Sequence, residues 1–211
     1  MYVAAKGMRG SKLQALRPAL RKWIHLNSTI GSQWAREYED APWWYNERAS
    51  LSFFAGAVWM SGGWALEEFS SRKKGLDQGP PRSLRAGRYD INFAVGTHEY
   101  IAEAKQCWPK LHNLKSAAAN VRDALRLAKA DARSDISWGL PVLAIVFSVP
   151  RVPIAHASEV ASLLDGFLRA PLPTGLVAWS FPLAARGLVS QSSRYIYPGV
   201  MVLVDQVRKG A

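Results

Sequence analysis

Residues 141–149, PVLAIVFSV, form an unbroken apolar run of strand length. A strand without polar alternation is a central strand covered on both faces, so other elements must lie above and below its sheet. The flanking pattern supplies them. Residues 46–70 read as a helix: Asn46 suits an N-cap, and Leu51, Phe54, Val58, Gly62, Ala65 and Phe69 recur at spacings of three and four. RYDINFAV (88–95) and EYIAEAKQ (99–106) read as strands joined by a turn at Gly96-Thr97. Residues 110–133 read as a long helix with an apolar stripe of Leu111, Leu114, Ala118, Val121, Leu125 and Ala128. A helix over 156–170, with Ser158 and Glu159 in its first turn, and strands over 174–181 and 198–206 complete the series. This order predicts an α/β domain with a central mixed β-sheet flanked by helices.

Upstream, 11–26 is helical in pattern but contains Pro18, which is expected to end or kink a helix there. Residues 27–45 read as irregular and aromatic, with a helix around 33–39. Trp23, Trp34, Trp43 and Trp44 fall in this part of the chain, which argues for order, because disordered tails are poor in aromatics. The expected organisation is an N-terminal helical and aromatic extension, 1–45, packed on a core domain of 46–211. Gly62-Gly63 weakens the helix locally and permits a close backbone approach. SRKKGLDQGPPRSLRAG (71–87) reads as an exposed basic loop with Gly and Pro as breakers.

Lys and Arg number 27 against 16 acids, a formal charge of +11. Such a charge favours a polyanionic partner, since counterion release drives binding to phosphate backbones. The lone Cys107 excludes an internal disulfide and a Cys-based zinc site, and His25, His98, His112 and His156 lack metal-ligand spacing. No apolar run reaches the ~18 residues of a membrane span, and the first residues lack the apolar stretch of a secretory signal. A cytoplasmic protein without a membrane partner is expected. Neither a phosphate-binding P-loop nor a GxGxxG or Gly-x-Ser-x-Gly pattern occurs.

With Gly96 and Thr97 as a two-residue turn, paired residues have numbers summing to 193, so Val95 faces His98 and Asp90 faces Glu103. Directly paired side chains project to one side, and the two-residue strand period puts Lys105 there too. Two opposed carboxylates repel, and a divalent cation removes that penalty. Mg²⁺ takes one or two carboxylates and leaves positions for water and phosphate oxygens. A nearby lysine stabilises developing charge or orients an attacking water, so the set suits phosphodiester hydrolysis. An ordinary solvated charge pair on an exposed strand would carry the same tripeptide.

Asp90, twelve intervening residues and then Glu103-Ala104-Lys105 resembles the PD-(D/E)XK nuclease superfamily, the restriction-endonuclease-like fold. Many members carry a Glu near the start of the first core helix, and Glu47 fits that position. The resemblance spans about 46–150, the motif-bearing core. It implies Asp90 and Glu103 as metal ligands, the Ala104 carbonyl as a further ligand, and Lys105 as the catalytic lysine. It also implies Glu47 as an accessory ligand or water-orienting group and Gln106 as an auxiliary polar residue. Tyr89 stands where the name-giving Pro would be, which leaves the branch of the superfamily open. A first-turn Glu is also favoured by the helix macrodipole without any catalytic role.

Lys115, Arg122, Arg126, Lys129 and Arg133 form a second helix stripe, either a solvated face or a backbone-binding surface. Arg72, Lys73, Lys74, Arg82 and Arg85, with Arg88 beside them, form a second basic lip ahead of the site. The sequence reading is therefore a Mg²⁺- or Mn²⁺-dependent endonuclease with DNA favoured over RNA, and a homodimer is compatible with it. The alternatives are a catalytically silent nucleic-acid-binding protein or complex subunit on the same scaffold, and an RNA-directed nuclease.

Overall fold

The computed structural model describes residues 5–74, 84–133, 139–172, 175–190 and 192–207, with 71–74 and 84–87 described by their backbone. In chain order the elements are β1 (Lys6–Arg9), α1 (Arg17–Glu37), α2 (Glu47–Met60), β2 (Trp64–Lys74), β3 (Leu84–Val95), β4 (His98–Cys107) and α3 (Leu114–Arg133). There follow β5 (Val142–Ser148), β6 (Val152–Pro153), α4 (Val160–Arg169), β7 (Leu176–Ser180), β8 (Val189–Ser190), β9 (Tyr195–Ile196) and β10 (Val200–Val207).

The molecule is an α/β structure around a mixed seven-stranded sheet of order β1-β7-β10-β5-β4-β3-β2, with β6, β9 and β8 in a small second sheet. Only β4 and β5 run parallel among the paired neighbours of the large sheet. All seven residues of β5 are buried, as the apolar run requires. On one face α1 and α2 bring Leu20, Trp23, Phe54 and Val58 onto Phe93, Ala104 and Phe147. On the other, α3 and α4 bring Val121, Leu125, Leu164 and Phe167 onto Val146, Met201 and Leu203. Among the described residues no helix is long and apolar enough to cross a membrane.

The hairpin has the expected register, Val95↔His98 to Ile91↔Ala102, with Gly96 at φ 61 in the turn. Asn46 caps α2, its side chain accepting from the Ala49 amide at 3.1 Å. Helix α3 starts at Leu114 rather than 110, where the Asn113 side chain accepts from the Ser116 amide at 3.0 Å.

Three expectations need correction. The helix read over 46–70 ends at Met60, and β2 begins at Trp64. Gly62 adopts φ +85, and a Cβ on Gly63 would lie 2.0 Å from the Ala94 carbonyl oxygen, so the glycine pair is the corner that sends the chain from α2 back along β3. Ala65 and Phe69 prolonged the helical spacing by coincidence with a strand. Residues 71–74 and 84–87 are not loop, because β2 and β3 stay paired as far as Lys74↔Leu84; 75–83 lie outside the described residues. Pro18 does not break α1. It occupies the first turn, where a missing N–H costs nothing, and the helix runs on to Glu37 through much of the stretch read as irregular.

The N-terminal segment belongs to both layers. β1 pairs with β7 at the sheet edge, and α1 contributes Leu20 and Trp23 to the core beside α2.

Candidate active site

The site forms where β3 parts from β4. Their ladder ends at Ile91↔Ala102, one rung short of Asp90–Glu103, whereas β4 continues beside β5 to Cys107. Opposite, Glu68 in β2 takes φ 55, and the β2–β3 register passes from Glu67↔Ile91 to Phe69↔Tyr89 without a Glu68–Asp90 rung. The strand changes sides at this kink. Ile91 and Phe93 pack with Phe54 of α2, whereas Tyr89 packs with Ile101 and with Ala132 of α3. Asp90 thus sits at a position released from both neighbours.

The direct Asp90–Glu103 pairing expected from the register is accordingly replaced. Asp90 Oδ2 accepts from the Ala104 amide at 2.7 Å, and Glu47 Oε2 accepts from the Gln106 amide at 2.8 Å. Two successive outward amides of β4, left open by the departure of β3, are each met by a carboxylate. A strand residue sends its N–H and C=O to the same side, so the Ala104 carbonyl faces this edge between the two acids. Gln106 is fixed as well: its Oε1 accepts from the Ser50 hydroxyl at 2.7 Å and its Nε2 donates to the Tyr45 carbonyl at 2.8 Å.

Lys105 lies on the opposite side of β4 from Gln106 and pairs with Asp131 of α3 at 2.8 Å. Burial works against the Lys105 charge, but Asp131, with Glu47 and Asp90 beyond it, outweighs burial and holds the ammonium above its ordinary range. Burial likewise favours the neutral form of Glu47 and raises it above the usual carboxylate range. Lys105 and the Gln106 amide oppose that rise, while Asp90 and Asp131 add to it. Three carboxylates from α2, β3 and α3 therefore act on one lysine. Glu103 is buried at 3% exposure, on the Lys105 side of β4 by the strand period.

Asp131 was not singled out from the sequence as a site residue. Its signal was position: it follows Ala124 by seven residues and Ala128 by three, at the margin of the buried α3 stripe. Ser50 and Tyr45 carried no comparable signal.

Among the described residues no three His, Cys, Asp or Glu side chains stand close enough to hold an ion. The donor types nevertheless suit a hard cation. Asp90 and Glu47 each engage one oxygen on a backbone amide, and a carboxylate has a second; the Ala104 carbonyl adds a third donor. Oxygen sets of this kind fit Mg²⁺ or Mn²⁺ rather than a thiophilic metal.

Of the basic candidates, Lys115, Arg122, Arg126 and Arg133 are exposed along α3, with Arg126 beside Asp123 at 3.7 Å. Lys129 is turned to Asp205 of β10 at 2.5 Å and is largely covered. Arg88 pairs with Glu68 at 3.4 Å, as Arg48 does at 3.1 Å. The side chains of Arg72, Lys73, Lys74 and Arg85, and all of Arg82, lie outside what the structure describes.

No protein-family model, no curated protein and no solved structure matches this chain.

Proposed function

We propose that the chain is a divalent-metal-dependent nuclease acting on DNA, built on a restriction-endonuclease-like core. The observation that carries this reading is the convergence of Asp90 and Glu47, from β3 and α2, on the β4 edge on either side of the Ala104 carbonyl. Lys105 provides a cation within the electrostatic reach of both acids. The net charge of +11 supports a polyanionic substrate.

When bound, Mg²⁺ or Mn²⁺ supplies Lewis-acid polarisation of the phosphodiester. The protein's own groups do the rest. Asp90 and Glu47 hold their carboxylates on backbone amides and so present fixed oxygens. Glu47 serves as an accessory ligand or orients the attacking water. Lys105, kept charged by its acidic neighbours, stabilises negative charge as it develops on the phosphate. Gln106, anchored by Ser50 and Tyr45, fixes the strand on which Lys105 stands.

A second reading is favoured by a specific feature: every one of these groups has a partner within the protein, as a purely structural polar network also would. That reading is a nucleic-acid-binding protein without hydrolytic activity. Plasmid DNA incubated with the protein and Mg²⁺, beside Asp90→Ala and Lys105→Ala variants, separates the two. Cleavage by the parent protein alone supports the nuclease. Equal binding by all three without cleavage supports the second reading, and a parallel assay on structured and single-stranded RNA decides the substrate.

A further inference from the structure

A cationic cleft lies at the other end of the sheet. α1 and β1 line an open cavity of about 320 Å³, near the lower end of the ~300–1,000 Å³ typical of small-ligand sites. Lys6, Arg17, Arg21 and His25 line it over Met8 and Ile24, and among the described residues no acidic one takes part in the lining. Arg17, Arg21 and His25 follow one another at four-residue spacing on the α1 face turned toward β1. Clustering of basic groups without a counter-charge costs free energy that an anion offsets.

Arg17 is held in place: its Nη2 donates to the Gly10 carbonyl at 2.8 Å, which fixes the guanidinium. Its Nε is covered by protein atoms, so an anion in the cleft meets the Nη donors, whose planar fork suits a phosphate. No side chain caps the start of α1 and its first turn carries no acid, so the helix end adds to the positive potential. The thioether of Met8 and the side chain of Ile24 supply an apolar floor, which inorganic phosphate alone would not use.

We propose that this cavity binds a mononucleotide phosphomonoester, either free or as the 5′-phosphorylated end of a strand. β1 stands four strands away from β4 in the sheet, roughly 19 Å at ~4.8 Å per strand. The cavity is therefore separate from the carboxylate site, and the inference goes beyond hydrolysis there.

The test is calorimetric titration in EDTA, where no metal-dependent hydrolysis interferes. The probes are AMP, adenosine, and a deoxydinucleotide with and without a 5′-phosphate. AMP, the phosphorylated dinucleotide or both are expected to bind, with the unphosphorylated counterparts weaker by about tenfold or more. Lys6→Gln with Arg21→Gln, both exposed positions, weakens the phosphorylated probes by about tenfold, and Arg21→Glu weakens them further. Arg36→Gln, an exposed position in the last turn of α1, leaves them unchanged. AMP alone binding identifies a free nucleotide, and the dinucleotide alone identifies a strand end. Failure of both at about 1 mM, equal binding of adenosine, or equal losses in Arg36→Gln overturns the proposal. Because no cleavage is measured, these results stand whether or not the chain proves to be a nuclease.

Discussion

Asp90 accepts the amide proton of Ala104 at 2.7 Å across fourteen residues of hairpin, where strand pairing would have offered a backbone carbonyl. The carboxylate thereby substitutes for the departing strand, and its charge is brought to the open edge of β4. The two roles separate by substitution. Asp90→Asn keeps an oxygen for Ala104 and is expected to unfold at a denaturant concentration close to that of the parent, while Mg²⁺-dependent cleavage falls on the order of 100-fold or more. Asp90→Leu loses both, and urea titration is expected to show a further cost of about 1–3 kcal/mol for the unmet amide.

Glu47 links stability to pH. Its folded-state proton affinity is raised, chiefly by burial, so the folded protein binds more protons than the unfolded chain just above the ordinary carboxylate range. Stability from this group is complete at low pH and declines as pH rises through the folded-state value. Glu47→Gln removes that decline. Urea melts at pH 4 and pH 7 are expected to show the variant gaining on the parent at the higher pH, and Mg²⁺ restoring the parent.

Asp131 positions and charges Lys105. Asp131→Asn leaves burial to act on the ammonium with less opposition, so Lys105 loses its proton at a lower pH than in the parent. The alkaline limb of the cleavage–pH profile is expected to move to lower pH. A simple loss of folded protein would lower the whole profile without moving it.

At Gly63 the turn between α2 and β2 tolerates no side chain. Gly63→Ala places a methyl 2.0 Å from the Ala94 carbonyl oxygen, which backbone displacement alone can relieve. Thermal and urea unfolding are expected to show a loss of about 1–3 kcal/mol.

The α3 cations divide by environment. Arg122 and Arg126 are exposed, and replacing both by Gln is expected to flatten the log–log salt dependence of DNA binding by about 1.8. Lys129 is paired to Asp205, so Lys129→Gln is expected to cost stability and leave that slope unchanged.

The hairpin register was legible because strand pairing around a two-residue turn admits one arithmetic, and β5 because an unbroken apolar run has few other uses. The end of α2 was hidden because Ala65 and Phe69 fall at helical spacing while belonging to a strand. The kink at Asp90 depends on Glu68 in β2, twenty-two residues earlier, adopting a left-handed backbone, and no local pattern announces it. The Lys105–Asp131 pair joins β4 to the far end of α3, a contact set by how the layers pack. Glu47 was legible as a first-turn acid, but its bond to the Gln106 amide required the fold.

Single-turnover cleavage of a labelled duplex at saturating Mg²⁺, comparing the parent with Lys105→Met, isolates the part the lysine plays in hydrolysis. Mg²⁺-dependent cleavage is expected in the parent and falls on the order of 100-fold or more in the variant, with DNA binding largely retained. Cleavage at the parent rate in Lys105→Met, or none by a folded, DNA-binding parent at any Mg²⁺ or Mn²⁺ concentration, would contradict the proposed mechanism.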